Sequence, residues 1–225
     1  RKNKFTFELQ EFLEAPLIFT GVKSAGAIAG DTVDVVLGDE VDKWGDGGGK
    51  ETSPVKNIQV RNTTSEQALT VLASTPTTEH GGIAVEFADS DQRHYFMPCP
   101  HCTKKIEFVW SAETVIFDHC RNADGSWDLE RVLSDTYYRC PECGGKIVDG
   151  HKPEMLLRGE WVPTAKGRPG VRGYYLNQLY APWKDTTFGG IALEYLDHKA
   201  QGFWHAIRKF RNSVEGLEWR DDAVP

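Results

Sequence analysis

Two short cysteine pairs constrain this chain more than any other feature in it. Cys99-Pro-His-Cys102 and Cys140-Pro-Glu-Cys143 are CPxC knuckles, each followed by a β-like run, "KKIEFVW" after the first and "GGKIVD" after the second. A CxxC turn aims two thiolates at one point, and two such turns complete a tetrahedral S4 site. Soft thiolates in that geometry favour Zn²⁺. Protein fills all four positions, so the expected site is structural rather than catalytic. The intervening residues 103–139 exceed the usual ribbon spacing. Residues 111–135 are therefore expected to form an excursion between two hairpins, with a turn at "NADGSW" (122–127). The alternatives are two unrelated CxxC turns or a redox pair. The fifth cysteine, Cys120, reads as a lone buried or partly buried thiol. His94, His101, His119 and His151 read as bystanders once four thiolates are available. An odd cysteine count with four residues in CxxC pairs favours a cytosolic metal site over a secreted disulfide framework.

Before the knuckles the chain reads as α/β. "TVDVVLG" (32–38) is short, Val-rich and preceded by a turn signal, which predicts a buried strand; "ALTVLAS" (68–74) reads the same way. Two buried strands with a long crossover suggest a parallel sheet. "GGIAVEFADS" (81–90) predicts a short helix, as does the start of "HKPEMLLRGEW" (151–161). "GYYLNQLYAPW" (173–183) reads as aromatic and extended. Residues 187–219 have helical periodicity, with Ile191, Ala192, Tyr195 and Leu196 apolar, then Phe203, Trp204, Ile207 and Phe210. The expected domains are 1–90, part of an α/β sheet; 91–150, a module built around the two knuckles; and 151–225, a strand followed by a helical stretch.

The first strand ends in two acids. "VDVVLGDE" fits the Walker B pattern, an apolar strand ending in Asp-Glu. The C-terminal end of such a strand opens on the crevice where α/β sheets bind ligands. In that reading Asp39 holds Mg²⁺ and Glu40 polarises the water that attacks a γ-phosphate. The alternative is an ordinary strand ending in a solvated acidic turn. Gly38 departs from the pattern, since an apolar residue usually precedes the acids. After the second strand come Ser74, Thr75 and Thr77, in the place where motor ATPases carry a turn that senses the γ-phosphate. The alternative there is a proline turn whose Ser and Thr cap the following helix. "GDGGGKET" does not fit GxxxxGK[ST], because Trp44 stands where the first glycine should and Glu51 follows Lys50. It reads as a loop.

Charge limits the partners. The net charge is −7, with 11 basic and 9 acidic residues in 152–225, which leaves 15 of the 26 basic and 24 of the 33 acidic residues for 1–151. A static duplex binder is usually basic, so DNA contact is expected to be local or transient. Arg61 and the cluster Arg208, Lys209 and Arg211 are candidate phosphate contacts; a solvated helix face is the alternative for the cluster. No apolar run is long enough to span a membrane, and "RKNKFTFELQEF" has no h-region.

In order, "DVVLGDEVDKW", "LASTPTT", "SDQRHYFMPCPHC", "YYRCPECGGKI", "EMLLRGEWVP", "GYYLNQLYAPW" and "FRNSVEGLEW" resemble the large terminase subunit of lambda-like tailed bacteriophages from about Gly21 onward. The specific parts are "SDQRHYFMPCPHC" and "LNQLYAPW". The resemblance implies a P-loop (RecA/ASCE-like) ATPase sheet, an inserted β-rich zinc ribbon and a C-terminal helical linker. It implies an ATP-driven DNA-packaging motor using Mg-ATP and structural zinc. By position, Asp39 and Glu40 correspond to Walker B, Ser74, Thr75 and Thr77 to the coupling turn, and Cys99, Cys102, Cys140 and Cys143 to zinc ligands. Ser24, in "GVKSAG", corresponds to a family loop lining the nucleotide or DNA side. Implied partners are double-stranded viral DNA, the small terminase subunit, the portal and procapsid, and further copies in a homo-oligomeric ring, all in the host cytoplasm. The family's phosphate-loop lysine and its nuclease acids fall outside these residues, so the chain is expected to be a middle portion that is inactive alone. The rival readings are a DExD-box helicase fragment and a non-enzymatic zinc-ribbon module that binds nucleic acid or a subunit.

Overall fold

A computed structural model describes residues 9–12, 15–21, 32–44, 53–202 and 204–220. The chain forms two compact units, Arg1–Ser74 and Thr75–Pro225. The expected glycine-rich loop (45–50) and Ser24 lie outside the described residues.

In the first unit, β1 (Leu9–Glu11) pairs antiparallel with β2 (Pro16–Ile18). Strand β3 (Val35–Asp39) and strand β4 (Leu69–Ala73) run parallel, with Val35 opposite Leu69 and Asp39 opposite Ala73. Between them lies helix α1 (Pro54–Gln59), whose proline sits in the first turn, where its missing N–H costs nothing. Asn62 ties the crossover down by donating to Thr70 Oγ1 at 3.1 Å and Asp34 O at 3.4 Å. The strands differ from the sequence expectation in one respect. Val36 is buried, but Val35 and Leu37 are 49% and 69% exposed, and Leu69 and Val71 are also exposed. Successive strand residues face opposite ways, and only one face of this pair is covered. The unbroken "VVL" run hides that alternation.

The second unit opens with α2 (Gly82–Ala88) and is built on two hairpins. β5 (Arg93–Pro98) pairs with β6 (Lys105–Ile106), Met97 opposite Ile106. β7 (Val115–Ile116) precedes α3 (Leu129–Asp135) and pairs with β8 (Tyr137–Arg139), which pairs with β9 (Lys146–Ile147). The expected excursion thus contributes a strand to the second hairpin. Helix α4 (Lys152–Leu157) leads to β10 (Glu160–Pro163), antiparallel to β5. Then β11 (Tyr174–Tyr175) runs parallel to the other edge of β5. After two short 3₁₀ turns come α5 (Phe188–Ala200) and α6 (Trp204–Ser213). The helical stretch breaks at Gly202, whose φ of +68° is a left-handed backbone that glycine adopts freely.

The core of this unit gathers Met97, Phe108, Tyr138, Ile147, Leu179, Tyr180, Phe188, Ile191 and Phe210. Phe108 sits at its centre, with ring centroids 4.5 Å from Tyr138, 5.4 Å from Tyr180 and 5.5 Å from Phe188. Lys152 is also buried there. Its ammonium reaches Asp149 Oδ1 at 2.8 Å, donates to the carbonyls of Thr186 (3.0 Å) and Ala181 (3.3 Å), and lies 4.0 Å from the Phe188 ring centre.

Candidate functional sites: an acidic strand end and a four-cysteine cluster

The parallel register brings the ends of β3 and β4 level, so Asp39, Glu40 and Ser74 leave the sheet on one edge. Glu40 turns the chain there with a φ of +53°. Its carboxylate is held at both oxygens: Lys43 Nζ lies 3.0 Å from Oε1, and Ser74 Oγ lies 3.5 Å from Oε2. Ser74 Oγ also accepts the Asp42 amide at 3.1 Å. Asp39 is exposed, and its carbonyl accepts the Trp44 indole N–H at 2.9 Å. Gly38 acquires a reason. A Cβ there would stand 2.9 Å from both Leu72 Cδ2 and Trp44 Cη2. The side chain expected before the acids is replaced by the Trp44 ring.

Ser74 is the last residue of the first unit, and Thr75 and Thr77 begin the second. The carbonyl of Thr77 accepts from Asn212 Nδ2 and from the Trp219 amide, each at 3.0 Å. None of these residues caps α2, whose N-cap is Gly81 with no side-chain bond.

The two knuckles are the turns of the two hairpins, β5–β6 and β8–β9. They bring Cys99, Cys102, Cys140 and Cys143 together with all four sulfurs within 4.8 Å of one another. Cys99 Sγ and Cys143 Sγ are 3.9 Å apart. Tetrahedral zinc with Zn–S of about 2.3 Å requires sulfurs about 3.8 Å apart, so the donors fit that ion. The knuckles repeat one another. The amides of Thr103 and Gly144 donate to the carbonyls of Cys99 and Cys140, each at 2.9 Å. Thr103 and Gly144, each just after a second cysteine, both have positive φ. Burial pushes the Cys140 thiol up to about 12, so a bound cation is what would keep it a thiolate.

Two straps join the knuckles. His101 Nε2 donates to the Lys146 carbonyl at 2.7 Å, and Lys104 Nζ pairs with Glu142 at 2.8 Å. His101 is therefore occupied outside the thiolate set. The His94 ring is likewise occupied, 2.6 Å from Glu107 Oε1. Cys120 is buried apart from the cluster and donates to Arg131 O at 3.3 Å.

The family profile described as phage terminase large subunit gpA, ATPase domain, matches residues 1–161. This chain belongs to that family. The match decides for the terminase reading over the helicase one. It makes the chain part of a phage DNA-packaging motor component. No curated protein and no solved structure matches it.

Several site features of this terminase chain were not visible in its sequence. Lys43 and Ser74 on Glu40, Trp44 over Gly38 and the two straps all depend on register or loop path. The closest signal for the straps was the polar residue before the second cysteine of each knuckle, His101 and Glu142. Of the candidate phosphate contacts, Arg61 is half-buried. Arg211 is turned inward, with Nε donating to Glu218 O at 2.9 Å and Nη1 3.9 Å from Glu215. Among the described residues, no helix is long and apolar enough to cross a membrane.

Proposed function

We propose that this terminase chain carries the hydrolytic strand end of the ATP-driven motor and a separate zinc-ordered module. Asp39 holds the magnesium of Mg-ATP, which neutralises phosphate charge. Glu40 orients the attacking water and takes its proton at the carboxylate. Ser74, Thr75 and Thr77 form the turn that transmits the state of the nucleotide. The observation that carries the reading is the contact of Glu40 Oε2 with Ser74 Oγ at 3.5 Å across the parallel strand ends. It ties the proposed base to the proposed coupling turn.

Cys99, Cys102, Cys140 and Cys143 hold a structural zinc. The P-loop sheet of which β3 and β4 are part, the domain boundaries near residues 90 and 150, and the role of 151–225 as a linker belong to the same proposal. So do the partners: duplex viral DNA, the small terminase subunit, the portal and procapsid, and other copies in a ring, in the host cytoplasm.

The test is ATP turnover by the full-length terminase large subunit carrying Glu40→Gln. A general base contributes roughly 10²–10⁴-fold, so turnover should fall by at least about 100-fold with nucleotide binding retained. Turnover equal to the parent's would overturn the assignment.

A further inference from the structure

The outward face of β7–β8–β9 carries positive charge that no carboxylate among the described residues pairs with. Strand alternation sends Val115, Tyr138 and Ile147 into the core and leaves Ile116, Tyr137, Arg139 and Lys146 outside. With Asp118 and His119, these line an open cleft of about 640 Å³. Register places Arg139 directly opposite Lys146, and like charges directly opposite destabilise a sheet pair. Lys146 Nζ lies 4.7 Å from the centre of the Tyr137 ring. Among the described residues no carboxylate lies within ion-pair distance of either cation, and Asp118 is the one acid lining the cleft. Some exposed cations of this unit are matched, Lys104 by Glu142, Lys105 by Glu160 and Arg168 by Asp89, while Lys166, Arg172, Lys184 and Lys209 stand singly or on other faces without an ion pair among the described residues. Arg139 and Lys146 differ from these in facing one another across a strand pair and lining one cleft together, in a chain of net charge −7.

The geometry points to this face as a contact for the phosphodiester backbone of duplex DNA, with Arg139 and Lys146 as the phosphate ligands. The identity of the polyanion rests on the packaging reading above; the presence of an anion-binding face does not. Phosphates at regular spacing relieve the Arg139–Lys146 repulsion and release counterions. An open cleft suits a strand passing over it better than an enclosed small ligand does. The face is also rigid. Arg139 immediately precedes Cys140, and the Lys146 carbonyl accepts the His101 ring N–H, so both cations are anchored on the second knuckle. Two contacts per chain are weak alone, consistent with transient engagement of a moving duplex.

The test is fluorescence anisotropy of a labelled duplex against the zinc-loaded chain over a range of salt concentrations. The double variant Arg139→Ala/Lys146→Ala should bind about 10-fold or more weakly at low salt. Its log–log salt slope should be shallower by about 2. Lys105→Ala/Arg168→Ala removes the same charge from matched positions and should bind like the parent. The charge-preserving pair Arg139→Lys/Lys146→Arg should retain binding. Arg139→Gln/Lys146→Gln repeats the test if the alanine variant loses zinc. Parent-like affinity and slope in these neutral variants overturn the proposal, as does a parent chain that binds an acidic protein surface but no duplex. The Glu40→Gln turnover assay reads the nucleotide site alone, so either reading can fail without the other.

Discussion

The hydroxyl of Tyr180 accepts the amide proton of Phe108 at 2.9 Å and donates to the carbonyl of Tyr95 at 2.8 Å. Asn177 completes the clamp, donating to the Phe108 carbonyl at 2.7 Å and accepting from the Leu179 amide. The "LNQLY" motif thus satisfies both backbone groups of a residue at the centre of the core. Tyr180→Phe leaves the buried Phe108 N–H unpaired and removes a bond to the Tyr95 carbonyl. An unpaired buried group costs about 1–3 kcal/mol, so chemical denaturation should show a loss of that size.

Lys152 makes a second internal tie. Lys152→Ala removes the cation from Asp149, which keeps the Phe188 amide, and leaves the Thr186 carbonyl without the ammonium. Loss of such a buried hydrogen-bonding partner costs about 1–3 kcal/mol. The denaturation midpoint of the second unit should fall accordingly, and a midpoint within error of the parent's would show the pair to be dispensable.

Metal content separates the five cysteines. Elemental analysis should give about one zinc per chain, since four thiolates close one tetrahedral site. Cys140→Ser should lose it together with cooperative melting, because structural metal binding is folding free energy. Cys120→Ser should keep it. A chelator-treated chain that melts at an unchanged temperature would mean the ion adds nothing to the fold.

Glu215 gives a pH dependence with a definite sign. Burial raises its pKa above the usual carboxylate value, against the opposing pull of Arg211. A raised folded-state pKa contributes stability that is present below the unfolded value and lost as pH rises through the folded one. Glu215→Gln should therefore gain on the parent between about pH 4 and pH 7. Melting temperatures of both proteins at the two pH values would show the gap moving in favour of the variant; a gap moving the other way would reverse the assignment.

Gly38→Ala should cost the first unit about 1–3 kcal/mol, the usual range for overpacking, because Leu72 and Trp44 already fill the space. Chemical denaturation should show a lower midpoint for the variant, and equal midpoints would overturn the expectation.

What was legible in the sequence was local. The cysteine spacing reveals the cluster because a CxxC turn fixes its own geometry, and apolar runs reveal β3 and β4 because they are short and bounded by turns. The helices at 82–88 and 152–157 are legible for similar reasons. The half-exposed faces of β3 and β4 are not, since a continuous apolar run looks the same whether one face or both are covered. Lys152 reads as a surface residue until its three oxygen partners are seen. The clamp on Phe108 joins residues far apart in the chain, and the Arg139–Lys146 opposition exists only in the register of a hairpin. None of these leaves a periodic trace.

Glu40 occupies a backbone conformation that an L-residue enters at a cost of about 1–2 kcal/mol, at the position where its carboxylate meets Ser74. Glycine would enter it freely and return only about 0.5–1 kcal/mol in chain entropy. Glu40→Gly should therefore melt at or slightly above the parent temperature while lacking the carboxylate. A screen that ranks variants by heat resistance would keep this substitution, and only an assay of nucleotide turnover would reject it.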